Sequence, residues 1–196
     1  MTTTILAAFV GYLLGSIPFG LLLTRLAGQG DIREIGSGSI GATNVLRTGN
    51  KTLAALTLVF DVLKGSAAVL IGLAWSEEAM LAGAAAVIVG HLYPVWLRFR
   101  GGKGVATALG VLIVIAWPLA LGAGVLWLAT AVLFRYSSLA ALVTAVASAA
   151  LAGFVVDKQP RAALIALIAI LVVLRHRQNV QRLLAGTESR ISFGKG

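Results

Sequence analysis

Four long apolar stretches dominate the chain, at residues 4–23, 53–75, 79–97 and 139–156. About 20 predominantly apolar residues span the hydrocarbon core as one helix, so each stretch can cross a bilayer. A fifth, 162–174, is short but wholly apolar. In lipid a segment must satisfy its own backbone N–H and C=O groups, which restricts these stretches to helices. Hydrophobic residues make up 59% of the 196, against about 45–50% in soluble domains, and a soluble core cannot enclose that much. The expected fold is an all-α integral membrane protein, a single domain over residues 1–196. No basic residue precedes 4–23, and the stretch exceeds a signal-peptide core, so it is expected to stay as the first span.

Residues 105–134 are too long for one upright helix and short for two, with Trp117 and Pro118 in the middle. Charge decides between them. If Pro118 starts a new helix the spans total seven, with the N-terminus outside and the C-terminus cytoplasmic. Thirteen of the sixteen Lys and Arg then lie on or beside the cytoplasmic face: Arg25, Arg33, Arg47, Lys51, Arg98, Arg100, Lys103, Arg135, Arg175, Arg177, Arg182, Arg190 and Lys195. The acidic turn Glu77–Glu78 falls outside. A single helix would put the basic tail outside, against the positive-inside bias.

The net charge of +9 sits in connections between apolar runs, so it reports topology and gives no reason to expect a nucleic-acid partner. The chain has no cysteine, which excludes disulfides and thiolate chemistry, and two histidines are too few for most zinc cages. No metal and no cofactor are expected. Gly11 and Gly15 form a small-xxx-small pair suited to close helix packing.

Three polar blocks fall on the cytoplasmic face of this topology. In the first, Gly36, Gly38 and Gly41 alternate with Ser37, Ser39 and Thr43 and are followed by Asn44, with Arg33, Arg47 and Lys51 nearby. Successive backbone N–H groups turned into one concavity would suit phosphate oxygens. The second block runs from Gly90 and His91 to Gly101-Gly102-Lys103-Gly104 and Thr107. It is not a Walker A loop, since the glycine required five residues before Gly102 is Leu97 and no strand precedes it. Its glycines expose amides beside a cation at a helix start; a second reading makes Arg98, Arg100 and Lys103 topology determinants only. The third block places His176, Asn179 and Arg182 at three-residue spacing, on one helical face, ahead of Glu188. A lipid-headgroup anchor is the alternative there.

Asp61 and Lys64 lie within the second span, roughly 12–16 Å along it from Leu53 at about 1.5 Å per residue. Each would cost about 2.5–3.5 kcal/mol facing lipid, so they are expected to pair inside the bundle, as a structural ion pair or as the floor of a site. His91, several residues inside the third span, is expected to make a structural hydrogen bond.

In this order the blocks resemble the bacterial acyl-phosphate:glycerol-3-phosphate acyltransferase family. The matching stretches are Gly15-Ser-Ile-Pro-Phe-Gly20, residues 36–44 with Arg47, Asp61-Val-Leu-Lys-Gly65, Gly90-His-Leu-Tyr-Pro94 running to residues 101–107, and His176 with Asn179, Arg182, Gly186 and Glu188. Residues 108–174 match only as hydrophobic helices, and Ser39 stands where the family usually carries Asn. The resemblance implies transfer of a fatty acyl group from acyl phosphate to the 1-hydroxyl of glycerol 3-phosphate, giving 1-acylglycerol 3-phosphate (lysophosphatidic acid) and phosphate at the bacterial inner membrane. It also implies a partner phosphate acyltransferase that makes acyl phosphate from acyl carrier protein.

A mixed anhydride is already activated, so no enzyme nucleophile is needed, and cations with oriented donors suit two phosphate groups. Catalytic roles are expected for Ser37, Lys103, His176 and Asn179. Substrate and phosphate contacts are expected from Gly36, Gly38, Gly41, Thr43, Asn44, Arg47, Gly101, Gly102, Gly104, Thr107, Arg182 and Glu188, with the acyl chain in an apolar groove open to bilayer lipid. The rival reading is a transporter or channel for a small phosphorylated anion. It is disfavoured by the scarcity of polar residues in the last four spans.

Overall fold

The computed structural model describes residues 1–191; Lys195, counted above among the cytoplasmic cations, lies outside them. The chain divides into two compact units, 1–114 and 115–196. Among the described residues all regular structure is helical.

The first unit contains α1 (Thr2–Ser16), α2 (Phe19–Leu26), the single turn α3 (Ala42–Val45), α4 (Lys51–Leu73), α5 (Glu77–Leu92) and α6 (Val105–Ile115). Side-chain caps fix two of the starts: Asn50 accepts from the N–H of Leu53 at 3.0 Å ahead of α4, and Ser76 from that of Ala79 at 3.1 Å ahead of α5. Glycines set the packing. A Cβ on Gly11 would strike the backbone of Gly83, one on Gly15 that of Val87, and one on Gly90 the carbonyl of Tyr12, so α1 and α5 meet backbone to backbone. Gly65 meets Thr107 and Gly110 meets Val62 in the same way between α4 and α6. Such small-residue seams drive helix association in lipid, where burial of apolar surface against apolar tails yields little.

The first span is not one helix. Pro18 has no N–H to continue the ladder, and the chain breaks between α1 and α2. A break leaves carbonyls without donors, which is costly inside a membrane. Two side chains from distant helices and loops fill the gap: Trp96 Nε1 donates to the Ser16 carbonyl at 2.7 Å and Lys64 Nζ to that of Ile17 at 2.9 Å. Lys64 also lies 2.7 Å from Asp61 and 5.5 Å from the centre of the Phe19 ring. The expected ion pair is thus present, and it has a structural purpose at the break.

The second unit holds α7 (Trp117–Phe134), α8 (Ser137–Val155), α9 (Gln159–Arg175) and α10 (Arg177–Leu184). The expected interruption at Pro118 is found: α6 ends at Ile115 and α7 starts at Trp117, with the proline in its first turn. Arg135, in the left-handed region at φ 62°, turns the chain from α7 into α8. Among the described residues five helical segments are long and apolar enough to cross a membrane, and a sixth if α9 and α10, bent by 57°, count together. The eleven residues of α6 reach about 16 Å, roughly half the hydrocarbon thickness.

Candidate active site

In the first unit, residues 31–51 are pinned from below by a cluster of Leu21, Ile32, Ile40, Val45 and Ala54. Above it, the buried Asn44 organises the loop. Its Nδ2 donates to the carbonyls of Ile32 at 2.9 Å, Ile35 at 3.0 Å and Ser39 at 2.8 Å. Its Oδ1 accepts from the Ser37 N–H at 3.1 Å and, more weakly, from the Ser37 hydroxyl at 3.4 Å. Gly36, at φ 56°, passes so close to Arg47 that a Cβ would fall 2.5 Å from Nη1 and 2.6 Å from Asn44 Oδ1. The exposed Arg47, half-buried Ser37 and half-buried Thr43 therefore stand around one turn.

Three amides of the expected row are engaged within the loop itself. The N–H of Ser37 is occupied by Asn44, that of Gly38 by the Ile35 carbonyl, and that of Gly41 by Ser39 Oγ at 3.4 Å. Asn44 itself, expected to contact substrate, has its amide engaged by the loop's own backbone. Arg33 is also taken: Asp31 Oδ1 accepts from its Nε at 2.9 Å, and Arg25 approaches Asp31 Oδ2 at 2.7 Å. Hydrogen bonds from Arg33 hold the Asp31 carboxyl well below the ordinary carboxylate range, and Asp31 raises Arg33 in turn.

Residues 101–104 form the second loop of this unit. The N–H of Gly101 returns to the Leu92 carbonyl at 3.2 Å and that of Gly102 to His91 at 3.0 Å, so these amides also close the loop onto the end of α5. Lys103 is half-buried, and Gly104, at φ 85°, leads into α6. Thr107 is fully enclosed, its carbonyl against Gly65 and its hydroxyl without a hydrogen-bond partner among the described residues; it packs α6 on α4.

In the second unit, His176 stands at the bend between α9 and α10, buried, with Nδ1 2.7 Å from the Val172 carbonyl. A carbonyl only accepts, so Nδ1 carries a proton and a neutral ring keeps its lone pair at Nε2. Glu188 gathers three donors: Asn179 Nδ2 at 2.6 Å and Ser138 Oγ at 2.7 Å on Oε1, and Arg182 Nε at 2.6 Å on Oε2. Burial pushes its carboxyl up, but the hydrogen bonds from Asn179, Ser138 and Arg182 outweigh this and hold it below the ordinary glutamate value. Glu188 and Arg182, expected at the substrate, satisfy each other.

A family model described as glycerol-3-phosphate acyltransferase matches residues 5–186. The chain belongs to that family. The glycerol-3-phosphate acyltransferase of Mesorhizobium japonicum is 59% identical over 187 residues, covering 95% of each chain, and that of Brucella anthropi 54% over 192 residues, covering 97% of this chain and 95% of the other. The crystal structure of PlsY, an integral membrane glycerol 3-phosphate acyltransferase, superposes in its glycerol 3-phosphate form with a TM-score of 0.92 at 35% identity, over 96% of both chains. Its lysophosphatidic acid form gives 0.90 at 34%, over 96% and 95%.

Within this glycerol-3-phosphate acyltransferase, the structure draws in one residue that the sequence does not single out. Ser138, at the start of α8, is a third donor to Glu188. Its only sequence signal was a serine pair after the charged Arg135 turn. His91, expected to make a structural hydrogen bond, has its Nδ1 3.7 Å from the carboxylate of Asp61, thirty residues earlier.

Proposed function

We propose that the chain transfers a fatty acyl group from acyl phosphate to the 1-hydroxyl of glycerol 3-phosphate, releasing 1-acylglycerol 3-phosphate and phosphate in the first acylation of phospholipid synthesis. Its place is the bacterial cytoplasmic membrane, with seven crossings, the N-terminus outside and the working loops and C-terminus on the cytoplasmic side. Its acyl phosphate comes from a partner phosphate acyltransferase that draws on acyl carrier protein. The observation that carries the reading is the turn at Gly36, where the Arg47 guanidinium lies on the glycine and Asn44 holds the neighbouring Ser37. A cation beside a held hydroxyl suits a phosphate monoester, and in this family that is glycerol 3-phosphate.

In this proposal Ser37, Thr43, Arg47, Lys103, His176 and Asn179 handle the two phosphate groups. Glycines 36, 38, 41, 101, 102 and 104 shape the loops, and Asn44, Arg182 and Glu188 hold neighbours in place. The glycerol hydroxyl oxygen attacks the acyl carbonyl carbon, the carbon–oxygen bond to phosphate breaks, and phosphate leaves with the electron pair. Lys103 or a backbone amide stabilises the developing oxyanion. The hydroxyl proton passes to His176 Nε2 or to a substrate phosphate oxygen. An acyl-phosphate donor is supported by the absence of the His-x4-Asp pattern used by other glycerol-phosphate acyltransferases: five residues after His91 is Trp96, and five after His176 is Gln181.

The test is product formation by the purified, detergent-solubilised protein given glycerol 3-phosphate with either palmitoyl phosphate or palmitoyl-CoA. Product from the acyl phosphate alone is expected. Product from the thioester alone would overturn the donor, and no product from folded protein would send the question to transport assays in liposomes.

A further inference from the structure

Behind the second loop lies a buried cluster of ionisable groups that the proposed chemistry does not use. Asp61, Lys64 and His91 are 2, 4 and 3% exposed. Lys64 already neutralises Asp61 and supports the break in the first span, so the pair is complete without a third member. A polar ring enclosed in a helix core costs free energy unless something nearby uses it. His91 therefore needs a reason of its own.

The other edge of the ring supplies it. Gly102 backs onto the imidazole so closely that a Cβ would run into Nε2, Cε1 and Cδ2. A Cβ on Gly101 would strike the His91 carbonyl and Pro94. The same two residues are tied by backbone hydrogen bonds to His91 and Leu92. The turn is thus seated on the ring, whose Nδ1 side faces Asp61 Oδ1 at 3.7 Å, beyond hydrogen-bond reach. The next residue in the chain is Lys103.

We propose that His91 is a positioning residue: packed under the Gly101–Gly102 turn, it sets that turn and thereby where the Lys103 ammonium stands for the phosphate of glycerol 3-phosphate. This rests on the phosphate-binding role given to Lys103 above. It also gives Gly102 a reason to be glycine that concerns the ring beneath it more than the anion above.

The experiment measures glycerol 3-phosphate binding to the full-length protein in detergent by calorimetry, with melting temperatures on the same samples, for His91→Gln, Lys103→Ala and the double variant. Residues that act through one another give non-additive losses. His91→Gln is expected to weaken binding about tenfold with little change in melting temperature, and the double variant to bind no more weakly than Lys103→Ala. Wild-type affinity in His91→Gln, or losses that multiply in the double variant, overturns the proposal. Should His91→Gln fail to fold, Gly102→Ala presses on the same ring from the loop side and must show the same loss and the same dependence on Lys103; normal affinity there overturns it. Wild-type affinity in Lys103→Ala removes the reading beneath the proposal and the proposal with it. Because the readout is binding, absence of turnover with palmitoyl phosphate bears on the proposed reaction and leaves this inference standing.

Discussion

Asn44 holds Ser37 by two hydrogen bonds, from the backbone N–H at 3.1 Å and from the hydroxyl at 3.4 Å, while its own amide nitrogen reaches three carbonyls of the same loop. This one side chain replaces the regular secondary structure that residues 35–41 lack. Replacing it by alanine takes one donor from each of those carbonyls: the Ile32 and Ile35 carbonyls keep the N–H groups of Ile35 and Gly38, while the Ser39 carbonyl loses the Asn44 donor at about 1–3 kcal/mol if it stays buried. Asn44→Asp is expected to be worse than Asn44→Ala, because a carboxylate would face three carbonyl oxygens. Both should lower kcat/KM for glycerol 3-phosphate at least tenfold, about 1.4 kcal/mol. Steady-state kinetics with thermal shifts on the two variants checks the order; Asn44→Asp equal to wild type would show that the amide nitrogen is dispensable.

The membrane helices could be read from the sequence because length and apolar content are local properties, and Pro118 marked its own break. The break at Pro18 could not be read so easily: it lies within an unbroken apolar run, and what makes it tolerable is Lys64 and Trp96, far along the chain. Asp61 and Lys64 were legible as a pair because they are three residues apart on one helix, whereas His91 joins them only through the packing of α5 on α4. The site residues were identifiable by type, but not by use. Whether Gly102 offers its N–H to an anion or to the His91 carbonyl depends on where a neighbouring helix ends.

Lys64→Met tests the support of that break. The substitution removes the donor to the Ile17 carbonyl and leaves Asp61 buried without its 2.7 Å partner, and breaking a buried pair from one side typically costs about 3–5 kcal/mol. Adding Asp61→Asn removes the stranded charge. The double variant is therefore expected to melt above Lys64→Met, though still below wild type, since the Ile17 carbonyl remains without that donor. Thermal denaturation in detergent distinguishes these cases. A double variant melting below the single would mean that Asp61 is stabilised by groups other than Lys64.

Glu188 gives the C-terminal segment an acid-sensitive anchor. Its folded-state carboxyl lies below the ordinary glutamate value, so the unfolded chain takes up a proton first as pH falls. Its stabilising contribution is complete above the unfolded pKa of roughly 4.3 and is lost as pH drops through the lower folded value. The wild type should therefore lose melting temperature between about pH 5 and 3.5 more steeply than Glu188→Gln, which is less stable at neutral pH but lacks this titration. Parallel slopes would mean that Asn179, Ser138 and Arg182 do not favour the charged form.

His176 is placed to accept a proton at Nε2, because Nδ1 is committed to the Val172 carbonyl at 2.7 Å. If it is the base, kcat/KM should fall on the acid side as the ring becomes protonated, and His176→Ala should abolish that limb as well as lower the rate by about 10²–10⁴-fold. If a substrate phosphate oxygen takes the proton, the variant loses rate through lost positioning while the acid limb stays where the wild type has it, governed by the substrate's own ionisation. His176→Asn offers a nitrogen near the Nδ1 position and no base at Nε2. It separates the roles further: recovery of rate in Asn over Ala, with the acid limb unchanged, assigns His176 to holding the end of α9 and its substrate group. Loss of the limb in both variants assigns it to the proton. Measuring kcat/KM across pH 5–9 for the three proteins, with acyl phosphate saturating, reads both outcomes from one set of curves.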